Sequence, residues 1–212
     1  NNPTPSNQPT KAPTPAQIAD EIKKSRSIDP KNISPVTAAD HIRGDINAPI
    51  KIVEYSDMEC PFCIRLHATL HQLVKEYPQQ VAWVYRHAPL HRQAPTESVA
   101  TECVAELGGE EKFWTYLDKI YDNSPGNDGF DLALLPKYAV EVGVDETAFT
   151  KCLTEKRPLA KINAQKDEWS ASGARGTPHS IVITPKGEYL PVTGAQQIEV
   201  WRNVVEYLIT QK

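Results

Sequence analysis

The chain has 212 residues, of which 40% are hydrophobic, and a formal net charge of −4 at pH 7. This length allows one domain of generous size, or one domain with an insertion. A nucleic-acid partner is not expected, because phosphate binding needs clustered basic residues and no Lys/Arg-rich block is present.

The N-terminal segment, residues 1–15, holds 5 of the 18 prolines among Thr, Asn, Ser and Gln. Such a segment cannot bury enough apolar surface to offset its ordering entropy, which predicts a disordered tether. Because the chain begins with Asn1 rather than Met, we expect a processed form. Residues 1–15 are then either a link to a membrane anchor or a ragged end without a role.

A lead-in segment is predicted over residues 16–47, with a short helix over 16–26 and a turn at Gly44-Asp45. Regular patterns begin at Ile50. They predict a strand over 50–55, a helix over 60–77 and a second strand over 81–85. Together these three elements form a parallel βαβ unit.

The second half of the chain begins with a region that has no strand signal, between about residues 95 and 172. Helical patterns there run near 95–107, 110–121, 131–142, 146–154 and 158–171. A hairpin of strands 181–183 and 188–192, with its turn at 185–187, precedes an amphipathic helix over 197–209. A βαβ unit followed by ββα is the topology of the thioredoxin fold. We therefore predict an α/β thioredoxin domain over 48–94 and 173–212, with an all-helical insertion over 95–172.

The first predicted strand leads directly into Cys60-Pro61-Phe62-Cys63. Two thiols at this spacing can close a small disulfide and open it again. At a helix start, unpaired backbone N–H groups and the helix dipole favour a thiolate at Cys60, and Pro61 suits the first helical position. The motif predicts a thiol–disulfide exchange centre, with Cys60 as the attacking thiol and Cys63 as the resolving thiol.

A zinc site is the alternative interpretation of the same cysteines. Cys60 and Cys63 have ligand spacing, and His67 and His71 follow at helical intervals. The sequence has no second CxxC motif, however, and a zinc site would leave the placement between strand and helix unexplained. We therefore expect no metal and no cofactor, and we expect His67 and His71 to face solvent.

A second motif is the loop Gly173-Ala174-Arg175-Gly176-Thr177-Pro178, which ends just before a predicted strand. In a thioredoxin-type fold a proline at this place is cis and lies against the CxxC motif. The residue before it exposes backbone groups to an extended substrate peptide. We predict a cis Thr177–Pro178 bond, and substrate-binding residues at Pro61, Phe62, Thr177 and Pro178.

With both motifs identified, the chain resembles the DsbA family of thiol–disulfide oxidoreductases, and especially the DsbA-like proteins of bacterial envelopes. The resemblance covers about residues 40–210 and is carried by Gly44-Asp45, Ala48-Pro49-Ile50, Val53-Glu54-Tyr55-Ser56-Asp57-Met58-Glu59-Cys60-Pro61-Phe62-Cys63, Tyr85-Arg86-His87-Ala88-Pro89-Leu90 and Gly176-Thr177-Pro178. It implies that Glu54 is a buried acid which relays a proton to Cys63. Strand alternation alone leaves open that Glu54 is a surface carboxylate.

Several residues depart from that pattern or have no assigned role. Phe62 replaces the histidine of the best-known member, and Glu59 lies beside Cys60, so we expect a less stabilised thiolate. Thr177 is typical of disulfide isomerases. Three histidines near the motifs could contribute to the site or have no special role: His87, His91 and His179.

The two remaining cysteines, Cys103 and Cys152, fall on separate helices of the predicted insertion. We predict a structural disulfide between them, with two buried free thiols as the alternative. In the loop-entropy model such a bridge contributes up to about 4 kcal/mol. Its presence would also favour an oxidising compartment.

These features predict an enzyme that introduces disulfides into exported proteins in a bacterial periplasm or cell envelope. The expected partners are reduced exported proteins and, from the resemblance, a membrane reoxidase of the DsbB or vitamin K epoxide reductase (VKOR) type. A monomer is expected. The alternatives are an envelope disulfide reductase or isomerase, and a peptide-binding, chaperone-like module with a vestigial CxxC motif.

Overall fold

A computed structural model describes Gln17 and residues 28–210. The predicted tether over 1–15 and, apart from Gln17, the predicted helix over 16–26 lie outside the described residues. Among the helices that are described, none has the length and apolar character needed to cross a membrane.

A mixed sheet of five strands forms the centre of the described structure. The strands are β1 (His41–Arg43), β2 (Ile50–Ser56), β3 (Val81–His87), β4 (His179–Ile183) and β5 (Tyr189–Thr193), and their order is β1-β3-β2-β4-β5. β2 and β3 are parallel, and every other neighbouring pair is antiparallel. This arrangement, with the helices below, confirms the predicted thioredoxin fold.

Strand β2 lies in the middle of the sheet and is covered on both faces. Ile50 and Ile52 pack in the main core with the helix α1 (Pro61–Glu76), whereas Val53 and Tyr55 pack in a second cluster that includes Trp169. The C-terminal helix α7 (Ile198–Ile209) packs beside α1. Since both faces of the strand are covered, every residue from Ile52 to Ser56 is buried, polar side chains included.

The helices α2 (Ala94–Gly108), α3 (Glu110–Asn123), α4 (Leu134–Glu141), α5 (Glu146–Glu155) and α6 (Leu159–Ala171) lie between β3 and β4 in the chain. Their bounds agree with the predicted helices within about three residues. One hydrophobic core joins these helices to the sheet. A disulfide connects Cys103 of α2 to Cys152 of α5, with their Cα atoms 5.9 Å apart.

The lead-in segment contains a strand that was not predicted. His41–Arg43 pairs antiparallel with Trp83–Tyr85 and extends the sheet at its β3 edge. Arg86 of β3 also holds this segment, because its buried guanidinium pairs with Asp40 at 2.9 Å and donates to the backbone oxygen of Ser34 at 3.1 Å. Glu168 of α6 is a further ion-pair partner of Arg86.

Candidate active site

The two thiols of the CxxC motif lie at the N-terminus of α1, at the end of the central strand. Cys60 is the N-cap residue and Pro61 begins the helix, as the sequence predicts. Both cysteines carry free thiols. Cys60 is 6% exposed and Cys63 is fully buried, so only the first thiol reaches the surface.

The loop before β4 meets this helix start. The Thr177–Pro178 peptide bond is cis, as predicted, and Sγ of Cys60, which donates here when protonated, lies 3.3 Å from the backbone oxygen of Thr177. The structure therefore brings both motifs together, although 117 positions separate them in the chain.

The two thiols differ in acidity. The hydrogen bond from the Cys63 thiol, supported by the backbone N–H groups of Cys63 and Phe62, outweighs burial and lowers the pKa of Cys60 to about 5. Burial raises the pKa of Cys63 well above its ordinary value, and the hydrogen bond to Cys60 adds to this. At neutral pH the pair therefore holds a thiolate at Cys60 and a protonated thiol at Cys63.

Glu54 is a buried acid on the central strand, with none of its surface exposed. Burial raises its pKa to about 7, although hydrogen bonds from Ser56 and Trp83 work in the opposite direction. Its ionised form in turn raises the pKa of Cys63. The alternative of a surface carboxylate is thus wrong.

A chain of hydroxyl groups next to Glu54 was missed from the sequence. The Ser56 hydroxyl donates to Oε1 of Glu54 at 2.8 Å, and the Tyr121 hydroxyl lies 2.8 Å from the Ser56 oxygen. Tyr85 contacts Tyr121 through their hydroxyl groups at 3.2 Å. Ser56 lies just before the CxxC motif, but nothing local in the sequence connects it to Tyr121.

Two carboxylates near Cys60 are turned toward backbone amides. Asp57 accepts from the N–H of His91 at 2.8 Å and from that of Leu90. Glu59, expected to weaken the thiolate, accepts from Gly129 at 3.1 Å and from Phe130 at 3.2 Å. Its charge is therefore directed into the insertion, and the pKa of the Cys60 thiol remains low.

Of the three histidines left open, His91 is the one whose pKa responds to Cys60. Its Nδ1 atom lies 3.2 Å from Asp57, whose carboxylate more than offsets burial and raises the pKa of His91, with the Cys60 thiolate adding to the effect. His87 is buried against Glu102, at 3.2 Å. His179 is opposite Tyr55 in β4 and lies on the other sheet face from Glu54.

The prediction that His67 faces solvent is wrong, because only 4% of this residue is exposed. Helix α3 covers that face of α1, and Nε2 of His67 lies 2.8 Å from Asp118. His71, one turn on, is partly exposed. Within the described part of the chain, no group of three or more His, Cys, Asp or Glu side chains could hold a metal ion.

The surface around Cys60 is apolar. Phe62 is 52% exposed, and its ring is covered on one side by the Arg65 guanidinium at 4.5 Å. Leu90 is 42% exposed and belongs to the loop held by Asp57.

An asymmetric dithiol at a helix N-terminus, next to a cis-proline on a thioredoxin fold, defines a thiol–disulfide oxidoreductase. The family model described as Thioredoxin matches residues 36–205. The chain belongs to this thioredoxin family, and its fold and site are of the DsbA-like type.

Solved structures of similar fold include DsbA2 of Pseudomonas aeruginosa, with 25% identity and a TM-score of 0.69 over 82% of this chain and 97% of that one. Wolbachia pipientis alpha-DsbA1 has 21% identity and a TM-score of 0.73 over 85% and 96% of the two chains. BdbD of Bacillus subtilis has 16% identity and a TM-score of 0.69 over 87% and 97%. At these last two identities the likeness concerns the fold alone.

The curated proteins that match this chain by sequence are named as Na(+)/H(+) antiporters, not as thiol–disulfide oxidoreductases. The Na(+)/H(+) antiporter NhaA 1 of Mycolicibacterium vanbaalenii is 26% identical over 191 residues, which cover 88% of this chain and 30% of that protein. NhaA 3 of Salinispora tropica is 31% identical over 143 residues, covering 68% and 21%. The chain thus spans less than a third of the length of these curated relatives.

Proposed function

We propose that this protein is a dithiol oxidase that introduces disulfides into exported proteins through the Cys60–Cys63 pair. The position of Cys60 at the N-terminus of α1, against the cis Thr177–Pro178 bond and beside buried Cys63, carries the proposal. The acidity of the thiols supports it, since burial raises the pKa of Cys63 whereas hydrogen bonds lower that of Cys60 to about 5. A stabilised Cys60 thiolate favours the reduced state, and a protein whose reduced state is favoured is a strong oxidant.

In the proposed cycle a substrate thiolate attacks the Cys60 sulfur of the oxidised pair. The Cys60–Cys63 bond breaks, a mixed disulfide forms at Cys60, and the Cys63 sulfur leaves with the electron pair. Glu54 supplies the proton that Cys63 then takes up. A second substrate thiolate displaces Cys60, which leaves as its stabilised thiolate, and the substrate carries the new disulfide away.

The substrate class we propose is the extended, reduced segment of an exported protein. The Thr177 backbone and the rings of Pro61 and Pro178 would orient its main chain, and the exposed Phe62 would contact its apolar side chains. A membrane reoxidase of the DsbB or VKOR type would then restore the disulfide by accepting the electrons. Both the substrate and the reoxidase would react at Cys60, since this thiol is the one that reaches the surface.

An oxidising, extracytoplasmic location is part of the proposal. The Cys103–Cys152 disulfide supports it, because structural disulfides persist mainly outside the cytosol. A disulfide isomerase is the second candidate, favoured by the threonine that precedes the cis-proline.

The deciding experiment is the equilibrium reduction potential of the Cys60–Cys63 couple in glutathione buffers. A value at or above about −150 mV is expected for a dithiol oxidase, whereas about −250 mV or lower would mark a reductase and overturn the proposal. The Cys60→Ala variant separates both from a binding module, because only a module would keep its function without this thiol.

A further inference from the structure

The buried Glu54 carboxylate is connected by hydrogen bonds to a groove on the surface. Ser56 donates to Glu54 Oε1 at 2.8 Å, and therefore the Tyr121 hydroxyl, 2.8 Å from the Ser56 oxygen, must donate to Ser56. We propose that Ser56 and Tyr121 are the proton path between Glu54 and solvent. The inference rests on the proposed function, in which Glu54 exchanges a proton with Cys63.

Next to Tyr121 lies a groove between α1 and α3, with a volume of about 610 Å³. Tyr121 forms part of its wall, and the polar groups around it include His67, Asp118, Asp122 and Ser124. The ring of His67 stacks on that of Tyr121, with the centroids 4.3 Å apart. A groove of this size and polarity can hold water. Tyr121 is 2% exposed, and the transfer from its hydroxyl to water in the groove is part of the proposal.

The other contacts of Glu54 do not offer a path. Its second oxygen accepts from Trp83 Nε1 at 2.8 Å, and an indole nitrogen only donates, so it cannot pass a proton on. Ser180 is opposite Glu54 in β4, but its buried hydroxyl has no hydrogen-bond partner among the described residues. The route through Ser56 is therefore the continuous one.

The Tyr85 hydroxyl is a side branch that ends in the core. It lies 3.2 Å from the Tyr121 hydroxyl, and Tyr85 is fully buried. No other partner of this hydroxyl occurs in the part of the chain that the structure describes. Tyr85 thus provides a matched control, since Tyr85→Phe removes a contact of Tyr121 without interrupting the path.

The path can carry a proton outward or inward. Each hydroxyl group takes up one proton as it releases another, so its charge does not change. When the enzyme is reoxidised, Cys63 attacks the mixed disulfide and loses its proton to the Glu54 carboxylate. For outward transfer the two hydroxyl hydrogens first turn, so that protonated Glu54 donates to Ser56, Ser56 donates to Tyr121 and Tyr121 donates to water in the groove. When Cys63 leaves as a thiolate during substrate oxidation, the same transfers run inward.

The test follows reoxidation of the reduced protein by oxidised glutathione in a stopped-flow instrument. The glutathione mixed disulfide forms at Cys60, and its resolution by Cys63 requires loss of the Cys63 proton. Because a positioned proton-transfer group contributes about 10²–10⁴-fold, we expect Ser56→Ala and Tyr121→Phe each to slow this step about tenfold. Tyr85→Phe, which leaves the path intact, should react at the wild-type rate.

Two further measurements separate a proton path from a structural effect. The equilibrium reduction potential should be unchanged in Tyr121→Phe, because loss of a path alters rates only. Ser56→Ala also removes a hydrogen bond that lowers the pKa of Glu54, so its potential is not used as a measure of the path. The solvent deuterium isotope effect on the resolution step should rise in both variants, since proton transfer becomes limiting. Equal slowing in Tyr85→Phe would overturn the proposal, because it would indicate disturbed packing.

The Glu54→Gln variant distinguishes failure of the path from failure of the proposed function. If Glu54→Gln is slow while Ser56→Ala and Tyr121→Phe match the wild type, Glu54 acts but its proton leaves elsewhere, and the path is wrong. If Glu54→Gln itself resolves the mixed disulfide at the wild-type rate, the role of Glu54 fails, and the path fails with it.

Discussion

The indole nitrogen of Trp83 donates to the Glu54 carboxylate at 2.8 Å, across the parallel pair of β2 and β3 and inside the core. A hydrogen bond of this kind favours the ionised acid. Burial outweighs it, and the pKa of Glu54 rises to about 7. An acid balanced in this way can both release and accept a proton near neutral pH.

Glu54 is expected to make the stability of the reduced protein fall as pH rises. The pKa of a glutamate side chain is 4.5 in the unfolded chain and rises to about 7 at Glu54 in the fold, so between these values the folded state holds a proton that the unfolded chain has lost. The contribution of this bound proton to the free energy of unfolding is complete below pH 4.5 and is lost as pH rises through 7. The loss amounts to about 3 kcal/mol.

Glu54→Gln should remove this dependence, because glutamine does not ionise. Urea unfolding from pH 4.5 to pH 8 should show the variant gaining about 3 kcal/mol relative to the wild type. Glu111→Gln, at an exposed site on α3, is the control for the substitution itself. Parallel pH curves for the wild type and Glu54→Gln would contradict the expected burial of the charge.

Local patterns predicted most of the fold, and long-range contacts account for what was missed. The helices and the central strands follow from apolar spacing, which is a property of neighbouring residues. Strand β1 has only three residues, and its pairing with Trp83–Tyr85 lies about 40 positions away. His67 was placed wrongly because the sequence does not show that α3 covers its face of α1.

The residues of the candidate site likewise fall into two groups, those predictable from local motifs and those placed by long-range contacts. Cys60, Cys63 and Pro178 were predictable, because each is part of a contiguous motif whose position in the topology is known. The position of Glu54 could not be decided from alternation, since β2 is buried on both faces. Tyr121 lies 65 positions from Ser56, and only the packing of α3 beside the sheet brings their hydroxyl groups together.

The acidity of Cys60 should depend on Cys63. The Cys63 thiol is the largest cause of the low pKa of Cys60, so Cys63→Ala should raise that pKa above its wild-type value of about 5. Cys63→Ser keeps a hydroxyl donor and should give an intermediate value. Thiolate absorbance near 240 nm, recorded against pH, measures the pKa of Cys60 in both variants. Unchanged titration in Cys63→Ala would assign the effect to the helix N-terminus instead.

The Cys103–Cys152 disulfide should stabilise the fold without taking part in thiol exchange. Its cysteines are 49 positions apart, and closing a loop of this length contributes up to about 4 kcal/mol. We expect the double variant Cys103→Ala/Cys152→Ala to lose a large part of this in urea unfolding, while the reduction potential of Cys60–Cys63 stays the same. A shifted potential would show that α2 transmits strain to the active site.

Glu59 joins the insertion to the active site, because its carboxylate accepts from the amides of Gly129 and Phe130 while its backbone oxygen accepts from Asn127 at 2.7 Å. The loop fits closely here, since a Cβ atom on Gly126, whose φ is +74°, would lie 3.1 Å from that backbone oxygen. Glu59→Ala leaves the two amides without their acceptor. The expected loss of stability is about 2 kcal/mol.

Amide hydrogen exchange tests this link directly, because Phe130 is buried and its amide should exchange faster in Glu59→Ala. Glu59→Gln retains one acceptor oxygen and should give an intermediate rate. Since the Glu59 charge is directed at the loop, Cys60 should keep its low pKa in Glu59→Gln. Unchanged protection of Phe130 in Glu59→Ala would show that packing alone holds the loop, whereas a further drop in the Cys60 pKa would show that Glu59 acts on the thiolate after all.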